Sequence, residues 1–502
     1  MNWADAFDRV PPLLASHIVL AAAAMLLGAV IALPLGVFAA RHPKFGRVAL
    51  GFASIIQTIP SLALLALFYP LLLALSVQAL GFLPSLLALA LYALLPILRN
   101  TVIGLNGIDP AVIEAADGIG MTRWQKLHIV EAPLALTAIM GGVRTAAVWT
   151  IGAATLSTTV GQPSLGDIIF SGLQTQNWVL VLTGCVTAAG LALLVDGLLA
   201  MATAGIETQR RWLWVVPLAC AVVLPVGILL DQSKAASTIT IGAKSFSEQY
   251  VLARVIGRRL EAAGYRVRYK ENLGSAVVFS ALSGNDVDVY VDYSGTLWTN
   301  EMKRADVPPR AAMNAAIADW TRAKHRVTTL GALGFENAYA LAMRGDVARK
   351  YRIRTLEDLR LASDEMTLGG DLEFLDRPEW ASIRKGYGLS FARTRAFSPT
   401  FMYEALKSGD ADVISAFSSD GRIAADGLVV LTDPKGVIPG YDALLLIGPK
   451  ASGDARLVAA LRPLIGAVRV EDMRRANLMV DGQKLSPEVA AKWLDSVMSK
   501  KP

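Results

Sequence analysis

The chain has 502 residues, of which 54% are hydrophobic and only 18% are charged. Because an ordinary soluble protein is about 25% charged, this composition excludes a wholly soluble protein and places part of the chain in lipid. The net charge of +6 is spread out, without a basic run interleaved with aromatics, so we do not expect nucleic acid as a partner.

Charged residues are distributed unevenly along the chain. Residues 1–230 hold 10 Lys or Arg and 9 Asp or Glu, whereas the remainder holds 38 and 33. We therefore predict a membrane domain at 1–230, a short tether at 231–237 and a soluble domain at 238–502. The two cysteines, Cys185 and Cys220, lie in apolar segments, and the four histidines are scattered, so we expect no metal site.

Six segments of the first half are long and apolar enough, or nearly so, to cross a bilayer as helices. They are 16–39, 48–70, 80–98, 136–157, 178–203 and 212–230. The loops between them are alternately basic and free of Lys and Arg, which predicts a consistent orientation by the positive-inside rule. This orientation places everything after residue 230 outside. Asp196 is a conspicuous acid within a span and is a candidate functional residue. The alternative is a hydrogen bond to a neighbouring helix or a place close to the cytoplasmic edge.

The connection at 99–133 is polar, and the orientation makes it cytoplasmic. Glu114–Ala116 favours the start of a helix, Gly118 and Gly120 can break it, and a second short helix carries Trp124. A helix–glycine–helix unit can dock into a partner's groove. The alternative is an amphipathic helix lying in the membrane interface.

Strands and helices alternate in the soluble half, which predicts an α/β fold large enough for two lobes with a cleft. The expected helices are 247–263, which Gly264 ends, and 400–409. The expected strands are 238–243, 265–270, 286–293, 366–370, 411–417, 428–431 and 441–447.

Several stretches of the first half resemble permeases of ATP-binding-cassette (ABC) importers for osmoprotectants: Gln57–Leu62, Arg144–Ala146 and the 114–133 connection. The resemblance implies a coupling loop for an ABC ATP-binding subunit and a homodimer of this chain around the translocation path. Its matching residues are Glu114, Ala115, Ala116, Gly118 and Pro133. Gly242–Ser245 lacks the glycine and spacing of a phosphate-binding loop, so ATP and Mg would be used by the partner, and we expect no cofactor in this chain.

Four blocks of the second half are similar to osmoprotectant-binding proteins: 244–250, 291–296, 335–341 and 417–423. The resemblance implies a polytopic helical membrane domain followed by a two-lobed periplasmic-binding-protein domain, type II-like. It implies an aromatic cage for a methylated ammonium at Tyr293, Tyr339, Phe417 and Tyr441. Carboxylate contacts fall on Lys244, Thr296 and Arg377, and further cleft positions are Glu248, Asn337 and Asp420.

Each of these assignments has an alternative. The aromatics can be core residues, Arg377 can form a surface ion pair with Asp376 or Glu379, and Glu248 and Asp420 can simply occupy a first helical turn and a turn. The family has Tyr where this chain has Phe417, which leaves the ligand open between glycine betaine, choline or carnitine and ergothioneine.

The function predicted is a multi-pass subunit of an importer in a bacterial inner membrane, with the second half in the periplasm. A membrane-anchored ligand sensor is the alternative from a different class. We predict no catalytic residues, because no nucleophile and base occur in a recognisable arrangement.

Overall fold

The computed structural model describes residues 3–75, 77, 79–175, 177–208, 210–233, 238–304 and 306–499. The chain divides into two compact units, one made of most of residues 2–235 and the other built around 236–502. The described part of the first 233 residues is helical: α1 (Trp3–Phe7), α2 (Val10–Arg41), α3 (Pro43–Thr58), α4 (Ser61–Ala74), α5 (Phe82–Asn106), α6 (Pro110–Gly118), α7 (Arg123–Gln125), α8 (Ala132–Ala154), α9 (Gly166–Gln174), α10 (Trp178–Glu207) and α11 (Arg211–Ser233). A π-helical turn at Lys126–Glu131 and a 3-10 turn at Thr155–Val160 flank α8.

Four helical stretches within the described residues are long and apolar enough to cross a membrane: α2, α5, the continuous stretch Arg123–Val160, and α10. The pair α3 and α4 passes the same test only when taken together, and α11 contains a shorter apolar stretch, Trp212–Ile228. The structure therefore shows a membrane-type helical unit. The number of crossings stays a prediction.

The 48–70 segment is not one continuous helix, because α3 and α4 are bent by 100° at the break between them, and its crossing of the membrane stays a prediction. Pro60 is the cause: it lacks an N–H and forces the preceding Ile59 into an extended conformation (φ −73°, ψ 124°). The hydroxyl of Tyr92 on α5 donates to the Ile59 carbonyl, and the Gln57 amide donates to the Tyr92 carbonyl at 3.2 Å. The Ile59 carbonyl at the break is thus satisfied inside the unit, and so is the Tyr92 carbonyl, which Pro96 leaves without its helical donor.

Helices α2, α5 and α8 pack together through small residues. A Cβ added to Gly28 on α2 would lie 2.9 Å from the Cβ of Ala93 on α5, and one added to Gly36 would lie 2.6 Å from Cγ2 of Thr101. Small side chains let membrane helices approach closely and gain dispersion contacts.

Two five-stranded sheets form the second unit. Their strands are β1 (Thr238–Lys244), β2 (Arg266–Leu273), β3 (Val289–Tyr293), β4 (Thr328–Glu336), β5 (Tyr339–Arg344), β6 (Thr367–Gly370), β7 (Arg393–Ala396), β8 (Val413–Phe417), β9 (Leu428–Val430) and β10 (Asp442–Ile447). The first sheet has the order β2-β1-β3-β10-β4 and the second β7-β6-β8-β5-β9. We call the parts built on these sheets the first lobe and the second lobe.

Helices cover the strands of both lobes. They are α12 (Ser247–Ala262), α13 (Ser275–Ser283), α14 (Ser294–Thr296), α15 (Arg310–His325), α16 (Gly345–Tyr351), α17 (Leu356–Leu359), α18 (Leu372–Asp376), α19 (Pro378–Tyr387), α20 (Pro399–Ser408), α21 (Gly421–Ala425), α22 (Ala455–Leu461), α23 (Val470–Asp481) and α24 (Pro487–Met498). Short π or 3-10 turns lie at Leu297–Glu301, Ser363–Glu365 and Arg462–Leu464.

The chain passes from the first lobe to the second between β4 and β5 and returns between β9 and β10. The two passages contact each other, because the backbone N–H of Asn337 donates to the carbonyl of Tyr441 at 3.0 Å. Ser418, just after β8, joins the same place by donating its backbone N–H to the Ala338 carbonyl at 2.9 Å. The ends of β5, β8 and β10 are therefore fixed at the junction of the lobes.

Several boundaries differ from the sequence predictions; strand β2, for example, continues to Leu273 rather than ending at residue 270. Strand β3 begins at Val289 rather than at residue 286, because the backbone of Asp286 bonds to the Ala281 carbonyl at 2.8 Å and still belongs to the turn after α13. Helix α11 continues to Ser233, and residues 234–237 of the predicted tether lie outside the described residues.

Candidate ligand-binding site

The four aromatic residues predicted to form a cage lie at strand ends beside the junction of the lobes. Tyr293 ends β3 and Tyr441 immediately precedes β10, its antiparallel neighbour. Tyr339 begins β5 and is paired across the sheet with Phe417, the last residue of β8. Strand pairing thus explains how residues far apart in sequence come together.

The rings of these residues form one group together with Phe246, and we call these five residues the aromatic cluster. The centroid of the Tyr339 ring lies 4.9 Å from that of Phe417 and 5.7 Å from that of Tyr441. Phe246 stacks on Phe417 at 5.9 Å and lies 6.2 Å from Tyr293. The three tyrosines are buried and Phe417 is half-buried. Such burial is also what a packing role requires, so their ligand role stays a prediction.

Phe246 was not predicted as a site residue, although it lies within the 244–250 block. Gly295 is a further contributor. A Cβ there would lie 2.5 Å from the ring of Tyr441, so only glycine lets this ring take its position. The Ser294 hydroxyl, next to it, donates to the Gly440 carbonyl at 2.8 Å and anchors the turn that carries Tyr441.

Arg377 is buried against the aromatic cluster. It does pair with Glu379, but the alternative that places this ion pair at the surface is wrong. Its guanidinium carbon lies 5.1 Å from the centre of the Tyr339 ring. Its Nη2 donates to the hydroxyl of Thr296 in the first lobe at 3.4 Å. The carboxylates of Glu373 and Glu379 pair with it at 3.2 and 3.4 Å. Arg377 has a side-chain exposure of 4%.

Glu379, which sequence analysis considered only as an ion-pair partner, connects the two lobes. Its Oε1 accepts hydrogen bonds from the Tyr441 hydroxyl and from the Thr299 hydroxyl, the latter at 3.0 Å. Tyr441 and Thr299 belong to the first lobe, whereas Glu379 and Arg377 belong to the second. Pro378 at the first helical position of α19 was the local signal for the turn that presents both side chains.

Lys244 is buried, and its ammonium is paired with the carboxylate of Asp292. The same ammonium lies 5.4 Å from the centre of the Tyr293 ring. Asp292 is held in addition by the hydroxyl of Tyr290 and by the backbone N–H of Tyr293. The charge of Lys244 is thus neutralised within the first lobe, which disfavours the predicted role as a carboxylate contact.

Glu248 is buried beside the cluster in the first turn of α12. Its Oε1 accepts from the Tyr293 hydroxyl at 2.5 Å and from the Asn337 amide at 3.1 Å, and its Oε2 accepts from the Asn477 amide at 3.1 Å. Burial raises the pKa of this carboxyl, while the hydrogen bonds oppose the shift. Glu248 therefore braces Tyr293 and the passage at Asn337.

Asp420 is buried, but both of its oxygens bind within the second lobe. Oδ2 accepts from the guanidinium of Arg422 at 2.9 Å and from the hydroxyl of Tyr403 at 2.6 Å, and Oδ1 accepts from Nε of Arg422 at 3.2 Å. Asp420 thus fits the structural alternative weighed from the sequence.

The predicted coupling segment forms an exposed unit of short helices. Glu114, Ala115, Ala116 and Gly118 all lie in α6, whose start was predicted too late. Asp109 caps this helix by accepting from the Ala111 N–H at 2.9 Å, and Pro110 follows at the first helical position.

The two short helices of this unit are linked by an ion pair between Asp117 and Lys126 at 2.7 Å. Pro133 lies in the first turn of α8. Ile119 and Trp124 are 74% and 70% exposed. The unit thus presents two large apolar side chains at its surface.

Asp196 on α10 forms a two-pronged ion pair with Arg144 on α8, with both distances 2.8 Å. The pair joins two long apolar helices and satisfies the acid inside the membrane-type unit. Arg144 is the first residue of the 144–146 stretch noted in the sequence.

Two family models match the chain. Residues 32–211 match the binding-protein-dependent transport system inner membrane component, and residues 237–496 match the substrate binding domain of the ABC-type glycine betaine transport system. Apolar helices joined on one chain to a two-lobed α/β unit with an aromatic site define an ABC importer permease that carries its own binding domain. The chain belongs to the ABC-type glycine betaine transport family, a membership that implies a membrane and an ATP-binding partner.

Among curated proteins, the chain is similar to the "Ergothioneine transport permease/ergothioneine binding protein EgtU" of Helicobacter pylori (strain G27). The two are 28% identical over 477 residues, covering 91% of this chain and 85% of the relative. The "Glycine betaine/carnitine/choline transport system permease protein OpuCB" of Bacillus subtilis (strain 168) is 42% identical over 185 residues, covering 37% of this chain and 82% of the relative. A solved structure, "Crystal structure of glycine betaine/carnitine/choline ABC transporter", is 29% identical with a TM-score of 0.45, covering 51% of this chain and 96% of that one.

Proposed function

We propose that this chain captures a quaternary ammonium compound of the glycine betaine, choline or carnitine type and carries it inward as the membrane subunit of an ATP-driven importer. The observation that carries the proposal is the aromatic cluster at the junction of the lobes, with Arg377 lying against the Tyr339 ring.

The cluster suits a methylated ammonium for a physical reason. Such a group cannot donate a hydrogen bond, but it is attracted to ring faces, by about 2 kcal/mol or more for a desolvated contact. A betaine also carries a carboxylate. The Nε of Arg377 is buried and makes no hydrogen bond to any described residue, and Thr296 offers a hydroxyl next to it. A guanidinium with a free N–H supports binding of a carboxylate.

The proposed transport cycle follows from the predicted orientation. The 238–502 domain lies in the periplasm of a bacterial inner membrane and closes over its ligand. Two copies of the chain enclose the path, and an ABC ATP-binding subunit pushes on the coupling segment from the cytoplasm. ATP and Mg are used by that subunit, and this chain transports its ligand without changing it chemically.

Ergothioneine, a trimethylated histidine betaine, is the second candidate ligand. The relative named for it shares both halves of this chain, whereas the OpuCB-type relative matches the permease half alone. Phe417 in place of the family's Tyr adds apolar ring surface that suits a larger ligand.

Uptake of radiolabelled ligand by cells that express the chain with its ATP-binding subunit tests the proposal. Glu114→Arg reverses a charge at an exposed position of the coupling segment. Glu207→Arg, the matched control, makes the same charge reversal at an exposed helical position outside that segment. We expect Glu114→Arg to abolish uptake and to leave ligand binding unchanged, while Glu207→Arg affects neither. Absence of both uptake and a co-purifying ATP-binding subunit would favour the ligand sensor instead.

A further inference from the structure

One oxygen of Glu379 is not accounted for by the contacts of the fold. Glu379 is buried, with a side-chain exposure of 1%. Its Oε1 is saturated by the Tyr441 and Thr299 hydroxyls and by Arg377. Its Oε2 is also buried and accepts no hydrogen bond from any group in the part of the chain that the structure describes. A buried acceptor without a donor destabilises the fold, and most buried polar groups are hydrogen-bonded, so this oxygen requires an explanation.

The position of this carboxylate ties it to the candidate site. Tyr441, whose hydroxyl it holds, belongs to the aromatic cluster, and Arg377, which it faces, lies on the ring of Tyr339. The free Nε of Arg377 and the free Oε2 of Glu379 therefore lie beside the same rings. The site thus has one unused donor and one unused acceptor next to the rings proposed to bind a methylated cation.

We propose that Oε2 of Glu379 accepts a hydrogen bond from an N–H or O–H group of the bound ligand, and that this residue determines specificity. The site then prefers quaternary ammonium compounds that carry such a donor, a hydroxyl or a ring N–H, over those whose polar atoms only accept. The inference rests on the proposed function, which it narrows to a subclass of ligands.

A different role for Glu379 would be to neutralise the ammonium charge of the ligand. The structure disfavours that role, because Glu379 is already paired with Arg377 and the aromatic rings provide for the cation. Another possible role is purely structural, with Oε2 closing a second hydrogen bond to Arg377. Both roles predict equal effects on ligands with and without a donor, so a matched pair of ligands separates them from the proposal.

The test is calorimetric titration of the full chain in detergent with carnitine and with γ-butyrobetaine, which differs only by lacking the hydroxyl, and with ergothioneine, which has ring N–H groups. The variant is Glu379→Gln. Its amide oxygen can still accept from Tyr441 and Thr299, but its NH₂ replaces the free acceptor. The matched control is Glu373→Gln, which also removes a carboxylate paired with Arg377 but at a half-exposed position.

We expect the wild-type chain to bind carnitine or ergothioneine more tightly than γ-butyrobetaine. Glu379→Gln should lower the affinity for a ligand that carries a donor by about 10- to 100-fold, the range expected for a hydrogen bond to a charged group. The same variant should change the affinity for γ-butyrobetaine by less than about 3-fold. Glu373→Gln should change the affinity for every ligand by less than about 3-fold. Equal weakening of all ligands, or no effect, would overturn the role of Glu379 and leave the proposed function standing. Binding of none of these ligands by the wild-type chain would overturn both.

Discussion

The ionisable side chains beside the aromatic cluster differ between the two lobes in how fully their polar atoms are paired. In the first lobe, Lys244 is neutralised by Asp292, and both oxygens of Glu248 accept hydrogen bonds. In the second lobe, Arg377 and Glu379 each keep one buried atom, Nε and Oε2, without a described partner.

This difference indicates that these side chains of the first lobe mainly stabilise the fold, whereas those of the second lobe mainly bind the ligand. Saturated groups hold rings and passages in place, so their loss should appear mainly as lost stability. Groups with unused atoms are available to a ligand, so their loss should appear mainly as lost affinity. Type of residue alone would have placed Lys244 and Arg377 in the same class.

The largest effect is expected at Lys244. Lys244→Met leaves Asp292 buried and unpaired, which should lower the free energy of unfolding by about 3–5 kcal/mol. Thermal unfolding of the full chain in detergent measures the loss. The double variant Lys244→Met/Asp292→Asn should recover a large part of it. A single variant that keeps its stability and loses only betaine binding would break the comparison between the lobes.

Arg377→Lys keeps a cation beside the buried Glu379, so the fold should stay intact. The affinity for glycine betaine should fall by about 10-fold, since lysine lacks the Nε–H and the planar fork that a carboxylate can bind. Choline has no carboxylate and should change by much less. Titration of the full chain with both ligands measures the difference. Arg384→Ala, an exposed position on the same helix, is the control. Equal losses for glycine betaine and choline would contradict a carboxylate contact.

Asp481, on α23, sharpens the comparison as a buried acid that should affect stability rather than binding. Burial raises its pKa from 3.8 to about 6, with Asp420 adding to the rise and Arg422, Ser247 and Lys484 opposing it. A raised pKa means that the folded state favours the protonated form. Its stability contribution is therefore full below pH 3.8 and is lost as the pH rises through 6.

Asp481→Asn should remove that loss, because the amide oxygen can still accept from Ser247. We expect the variant to be more stable than the wild type by about 1–3 kcal/mol at pH 7.5 and by much less at pH 4.5. Unfolding of both proteins at the two pH values measures this. A stability difference that does not change with pH would contradict the assignment.

The smallest effect is expected at Phe417. Phe417→Tyr keeps the ring between Phe246 and Tyr339 and adds only a hydroxyl, so glycine betaine affinity should change by less than about 3-fold. Phe417→Leu, which removes the ring, should cost about 10-fold or more. If leucine is tolerated as well as tyrosine, Phe417 does not contact the cation.

The α/β class and the main strands of the first lobe could be predicted from the sequence because their patterns are local, whereas β4, β5, β7 and most helices of this half were not predicted. Alternation of side chains identified β1, β2 and β3, and Gly264 marked the end of α12. The bend at Pro60 was not predicted, since apolar composition alone does not separate one straight helix from two bent ones.

The four cage aromatics were predicted from their residue types and from the family blocks. Strand pairing explains why they lie close together in the fold. The pairing of Lys244 with Asp292 could not be predicted in the same way, because it depends on β1 and β3 lying side by side in one sheet. The Arg377–Glu379 pair was named from the sequence as a surface pair, but its burial depends on the meeting of the two lobes. Phe246 was within reach, because it lies inside a block already singled out, between Lys244 and Glu248.

Titration of the full chain in detergent with glycine betaine, choline, carnitine, proline betaine and ergothioneine tests the central claim most directly. The account predicts saturable binding of at least one of these quaternary ammonium compounds, and its loss when Tyr339 and Tyr441 are both replaced by leucine. Binding of none of the five, or binding that survives removal of both rings, would contradict it.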